Sequence, residues 1–118
     1  TWTELQTRNL PAALPFYEHV FGWEWVDGST PDYKVALLPT KPGEDKANAG
    51  AEPMPPNVPE EIPAVWQVYF AVADVLGTVE DALALGGKTF VKATQNAGSV
   101  TAGILDPNGA RFMVVGTR

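Results

Sequence analysis

Cysteine is absent from this 118-residue sequence, and histidine occurs once. Without cysteine there are no disulfides, no thiolate metal sites and no cysteine nucleophile. A reducing cytoplasm is the expected compartment, although a cysteine-free chain is compatible with any. A long apolar run is missing too: no stretch approaches the roughly 20 residues that a membrane span needs. No charged-then-apolar leader is visible, so nothing argues for export. Basic residues are few, 8 Lys and Arg against 14 Asp and Glu, and the formal net charge is −6. They form no cluster or stripe. Phosphate contacts supply most of the affinity of nucleic-acid-binding proteins, so nucleic acid is an unfavoured partner. An anionic membrane surface is unfavoured for the same reason. What is abundant is apolar side chain: 45% of residues are hydrophobic and 19% charged. That is the make-up of one globular domain with a real core.

The chain repeats itself. A shift of 65 residues aligns its two halves without a gap, with Trp2 on Gln67, Leu5 on Phe70, Asn9 on Asp74, Gly22 on Gly87 and Trp25 on Phe90. The likeness is positional. Each half reads as an alternating strand, an Asn or Asp, a helical pattern, a glycine and further strands. Asn9 is the expected N-cap of a helix over 10–21, in which Pro11 is tolerated early and Gly22 is the stop. Leu10, Leu14, Tyr17, Val20 and Phe21 recur at helical spacing. Asp74 caps a second helix over 75–85, with Val75, Val79, Ala82, Leu83 and Leu85 toward the core and Gly86-Gly87 ending it. Strands are expected at 23–27, 33–39 and 48–52, and again at 88–92, 100–105 and 111–116. "DPNG" at 106–109 is a turn signal between the last two. "PMPPNVPEEIP", 53–63, has five prolines in eleven residues and reads as an extended, stiff connector. "KPGEDKANAG", 41–50, reads as a mobile polar loop. The expected architecture is α+β: two tandem βαβββ modules, 1–52 and 64–118, joined by the 53–63 linker in one domain of 1–118. One helix cannot cover both faces of its sheet, so two modules are expected to cup a mixed sheet around a shared cavity.

In "LPAALPFYEHVFGWE", "VYFAVADV" followed by "ALALGGK", and "ILDPNGARFMVV", the chain resembles the vicinal oxygen chelate superfamily. That group includes glyoxalase I, extradiol dioxygenases, fosfomycin-modifying enzymes and bleomycin resistance proteins. The resemblance covers nearly the whole chain, and "WQVYFAVADV" looks like the glyoxalase-like subgroup, often built as tandem domains. It implies the glyoxalase/bleomycin resistance fold. In the family's enzymes His, Gln and Glu side chains hold a divalent metal. The family's first-strand ligand precedes the capping Asp or Asn by seven residues, which selects Trp2 and Gln67 here. The late-strand ligand of the second module follows the Asp of the turn by seven residues, which selects Met113. Glu52 is the only candidate for the remaining one. An indole cannot ligate, and a thioether is too soft for Mg, Mn or Zn. The reading is therefore that the metal has been lost and the cup kept, with no cofactor.

Strand alternation sorts the lining. Trp2, Glu4 and Gln6 share one face, as do Gln67 and Tyr69, and Arg111, Met113 and Val115. Leu5, Val68, Phe70, Val72, Phe112 and Val114 are expected under the helices. The expected ligand-binding set is Trp2, Gln6, Met54, Gln67, Tyr69, Arg111 and Met113. A planar or cationic small molecule would suit it. Glu4 is the sharpest residue. It meets Arg111, or water, or a ligand donor, or it simply sits at the solvated mouth of its strand. Desolvated, it could act as a general base. His19 reads as a solvated surface residue on its helix. Two functions follow. The first is a metal-independent binding protein for an aromatic or amphiphilic small molecule, as in drug sequestration. The alternative is an enzyme of the same fold, lyase, isomerase or dioxygenase-like. It would use Glu4 as base with Tyr69 or Arg111 against developing negative charge, or an unrecognised metal site. The resemblance also implies a homodimer.

Overall fold

The structure is a computed structural model and describes residues 2–38, 47–96 and 98–117. Residues 41–46 of the expected polar loop, and residue 39 of the expected 33–39 strand, lie outside them. The chain divides into two compact units, one from Trp2 to Trp66 and one beginning at Gln67.

The first unit contains β1 (Trp2–Thr7), α1 (Leu10–Phe21), β2 (Glu24–Asp27), β3 (Lys34–Leu37) and β4 (Ala47–Pro53). β1 runs parallel to β4, β4 antiparallel to β3, and β3 antiparallel to β2. Asn9 caps α1 as expected: its side chain accepts from the Ala12 amide at 3.2 Å. Gly22 ends the helix in the left-handed region, φ 70°, and its amide donates to the Glu18 carbonyl. Trp25 donates its indole N–H to the Leu14 carbonyl at 3.0 Å, which fixes the face of the sheet that α1 covers. Ala36 opposes Trp25, Ala49 opposes Ala36, and Ala51 opposes Leu5. Ala36, Ala49, Ala51 and Leu5 are all buried. Small residues on β3 and β4 thus let the helix side close tightly.

The 53–63 segment departs from the extended connector expected of its prolines. It makes two successive turns, closed by Val58 N–H to Pro55 O and Ile62 N–H to Pro59 O. Arg8 fastens them: its guanidinium donates to the carbonyls of Ile62 (2.6 Å), Pro59 (2.8 Å) and Val58 (3.5 Å). Proline removes amide donors but leaves every carbonyl, so a planar five-donor cation is a fitting partner for such a stretch.

The second unit takes up β5 (Val65–Ala71) from Gln67 onward and continues with α2 (Val75–Ala84), β6 (Lys88–Asn96), β7 (Ser99–Leu105) and β8 (Arg111–Thr117). β5 runs parallel to β8, and β7 lies antiparallel between β8 and β6. Asp74 caps α2 by accepting from Gly77 N–H. In the "DPNG" turn the Asp106 carboxylate accepts from the amides of Asn108 and Ala110, and Gly109 takes φ 90°. The core lies between α2 and this sheet: Val75, Ala102, Ile104 and Val114, flanked by Val72, Val79, Ala82, Val100 and Phe112. Leu83 and Leu85 do not join it; they are 50% and 78% exposed. At about 100° per residue, Leu83 is turned roughly 80° from Val75, whereas Ala82 returns to within about 20°. Leu85 lies past the last helical residue. Phe70 shares the Val114 face but is 45% exposed and touches Phe112 edge-on at the margin of the core.

Candidate functional site

Because α1 covers one face of the first sheet, alternation decides what the face away from that helix, the open face of this unit taken by itself, carries. Glu4 opposes Gly50, Gly50 opposes Val35, and Val35 opposes Val26. These four form one cross-strand row. Trp2 and Gln6 flank Glu4 on β1, and Glu52 opposes Gln6. The expectation that Trp2, Glu4 and Gln6 share a face therefore holds in the first unit.

The centre of this face is a residue that sequence reasoning passed over. Tyr33, immediately before β3, donates its hydroxyl to Glu4 Oε1 at 2.7 Å. The Trp2 indole N–H is shared between Tyr33 Oη at 3.0 Å and Glu4 Oε1 at 3.2 Å. Two glycines admit the ring. A Cβ on Gly50 would overlap the Tyr33 hydroxyl and come within 2.6 Å of Cζ, and one on Gly28 would come within 2.6 Å of Cδ1. The turn before β3 holds the tyrosine backbone, with Gly28 N–H donating to Tyr33 O and Tyr33 N–H to Thr30 O. The signal available in the sequence was Gly28 and Gly50 together with one Tyr at a strand start. Nothing local to Tyr33 pointed to Glu4.

Electrostatics follow from the same contacts. Burial, then the hydrogen bond to Glu4 and that carboxylate's charge, push the Tyr33 phenol far above its ordinary range, so it stays a neutral donor. Gln6 donates to Glu52 Oε1 at 3.1 Å. Burial raises the Glu52 carboxyl, the Gln6 hydrogen bond partly opposes this, and the Glu4 charge adds to it. Glu4 Oε2 accepts no hydrogen bond from the described residues and is not sealed from solvent.

In the second unit, Tyr69 opposes Met113 on the side of the sheet away from α2, and Gly103 opposes Met113 in turn. Met113 is 6% exposed and Gln67, two residues before Tyr69, is 8% exposed; no described residue gives the Gln67 amide a hydrogen bond. The Arg111 guanidinium lies over the Phe90 ring, 4.2 Å from its centroid, so this exposed cation is engaged within its own sheet. Met54 is buried, and its amide continues the β1–β4 ladder by donating to Thr7 O. His19 is exposed on α1.

A sequence model of the Glyoxalase/Bleomycin resistance protein/Dioxygenase superfamily matches residues 1–114. The chain belongs to this superfamily. It is 36% identical over 115 residues to "Putative glyoxylase CFP32" of Mycobacterium bovis and of Mycobacterium tuberculosis, covering 92% of this chain and 42% of that protein. It is 32% identical over 117 residues to "Anthracycline biosynthesis protein DnrV" of Streptomyces peucetius, covering 99% and 41%. The chain thus spans less than half the length of these relatives. Methylmalonyl-CoA epimerase of Mycobacterium tuberculosis shares the α+β fold, with a TM-score of 0.58 at 17% identity over 98% of this chain and 85% of that one. Superfamily enzymes imply a divalent metal, and the described residues at the positions selected above do not fit one. The Trp2 indole is a donor already committed to two acceptors. Glu52 is engaged by Gln6. No group of three or more His, Cys, Asp or Glu side chains converges among the described residues. No described helix is long and apolar enough to cross a membrane.

Proposed function

We propose that this superfamily member is a metal-independent small-molecule binding protein. It takes an aromatic or amphiphilic ligand on the open face of the first unit, as in drug sequestration. The observation that supports this most is the Glu4–Gly50–Val35–Val26 row. It sets a carboxylate at one end of a short apolar strip, with the Tyr33 ring lying across the glycine between them. A flat apolar surface beside a few fixed polar groups is what small-molecule sites are made of. Trp2 contributes a further half-exposed aromatic surface. Gln67, Tyr69 and Met113 make up the corresponding part of the proposed binding set in the second unit. One of the two named relatives is a protein of anthracycline biosynthesis, which is consistent with a planar ligand. The test is equilibrium binding of a planar amphiphile to protein stripped with a chelator. Undiminished affinity supports the reading; affinity that returns only with added metal refutes it.

A second reading is favoured by the open Glu4 Oε2: an enzyme of the same fold, of lyase or isomerase type, in which this oxygen takes a proton and the neutral Tyr33 hydroxyl supports it. The relatives named as glyoxylases point the same way. Recovery of bound ligand by mass spectrometry separates the two, since sequestration returns it unaltered. Pairing with a second copy of the chain belongs to the same proposal, supported by the exposed Phe16, Val20 and Phe21 on α1. Light scattering of purified protein tests it.

A further inference from the structure

We infer that Tyr33 is the specificity-determining residue of the open-face site, and that it selects ligands carrying an ammonium beside a planar apolar body. The inference rests on the binding reading above and goes beyond it to a ligand class. Three observations carry it. First, Tyr33 and Trp2 both address the same carboxylate oxygen, Oε1. Two donors on one oxygen fix the carboxylate's rotation and saturate that side. Second, Oε2 accepts nothing from the described residues and is not sealed. The site therefore offers one oriented, negatively charged acceptor, and only a donor answers it. A cation answers it best, because it adds the attraction of opposite charges to the charge-assisted hydrogen bond that any donor makes to a carboxylate. Third, the space the tyrosine occupies is built for it. Gly28 and Gly50 are the two positions where any side chain would evict the ring. The ring also continues the apolar strip of Val35 and Val26, so the plane and the acceptor are set by one residue.

Tyr33 acts on the ligand in two ways that a single substitution separates. Its ring is a shelf, and its hydroxyl positions Glu4. Tyr33→Phe retains the shelf and loses the positioning. A mobile carboxylate must then be ordered by the ligand itself, and that ordering weakens binding.

The probes are an anthracycline glycoside, whose sugar carries a protonated amine, and its aglycone, which has the same fused rings and no cation. Both are followed by their intrinsic fluorescence at neutral pH. The wild-type protein is expected to bind the glycoside about tenfold more tightly than the aglycone, a difference of the size of one hydrogen bond to a charged group. Tyr33→Phe is expected to weaken the glycoside about fivefold more than the aglycone, so that most of the preference is lost. Glu4→Gln is expected to abolish the preference. A purely structural tyrosine would shift both probes together, so an equal loss for glycoside and aglycone overturns the inference. No preference in the wild type overturns it as well, while leaving the binding reading intact. Binding of neither probe overturns both.

Discussion

Gly50→Ala tests the centre of the site through stability alone, without any ligand. A Cβ at position 50 would come within 2.6 Å of Tyr33 Cζ, so the ring cannot stay. Overpacking of this kind costs about 1–3 kcal/mol. Displacing the ring also breaks the Tyr33–Glu4 hydrogen bond of 2.7 Å and leaves a half-buried carboxylate with the Trp2 indole alone. A hydrogen bond to a charged group is worth about 1.5–3 kcal/mol, and water recovers part of it at this half-buried site. Against these, alanine in a strand gains about 0.5–1 kcal/mol over glycine through the unfolded state. The balance is a loss of roughly 2–3 kcal/mol, near 10 °C in Tm for a domain of this size. Urea unfolding at neutral pH measures it. The decisive comparison is the same substitution in a Tyr33→Ala background. There the new methyl group meets Glu4 Cγ at 3.3 Å, the flexible part of a side chain that can move aside. Gly50→Ala should then cost less than about 0.5 kcal/mol, giving a coupling energy of about 2 kcal/mol between positions 33 and 50. Equal costs in the two backgrounds would refute the placement of the tyrosine over the glycine.

Three further outcomes follow from the same contacts. Because the Tyr33 phenol is raised above its ordinary 10.0, the unfolded chain loses that proton first as pH rises past 10; stability therefore falls with pH there. Ultraviolet titration of tyrosinate should show a late alkaline step that Tyr33→Phe removes, and a superimposable titration of the variant would count against it. The Glu52 carboxyl is raised above 4.5, so the folded protein binds its proton more tightly; stability falls as pH rises from 4.5 through the raised value. Glu52→Gln should flatten that fall in denaturant melts between pH 4 and pH 7, and an unchanged slope would contradict the cause. Arg8→Ala removes the donor to three carbonyls of the 58–62 turns. Proteolysis between residues 55 and 62 should quicken several-fold with little change in global Tm, and cleavage at the wild-type rate would show that the guanidinium does not hold the segment.

The helices and strands were legible because their ends carry local signals. Asn9, Gly22, Asp74 and Asp106 each act within a few residues of themselves, and each does in the structure what its type dictates. Face assignment on β1 was legible for the same reason, since alternation is a local rule. Three things were not. Leu83 and Leu85 are apolar near a helix end, where hydropathy alone does not tell the core side from a flank. The 53–63 segment was read from proline's φ preference, which allows turns as readily as extension; the choice is made by Arg8, some fifty residues away in sequence. Tyr33 reaches Glu4 across 29 positions through space left by two glycines, and an empty space has no sequence signature of its own.

By the resemblance, Trp2 falls at a position where the superfamily's enzymes are expected to carry a metal ligand, and an indole there changes what Glu4 can do. A half-buried carboxylate needs either a compensating charge or hydrogen-bond donors. A divalent ion would supply charge and invert the local field, drawing anionic or carbonyl oxygens to the site. The Trp2 indole and the Tyr33 hydroxyl are neutral donors. They satisfy one oxygen of Glu4 and leave its charge in place. Glu52 lies on the neighbouring strand; burial raises its carboxyl, and the Glu4 charge adds to that. The face therefore remains an acceptor, within a chain whose net charge is −6. In the binding reading proposed above, the two donors that hold Glu4 without a metal are the same two that turn the site toward cationic ligands.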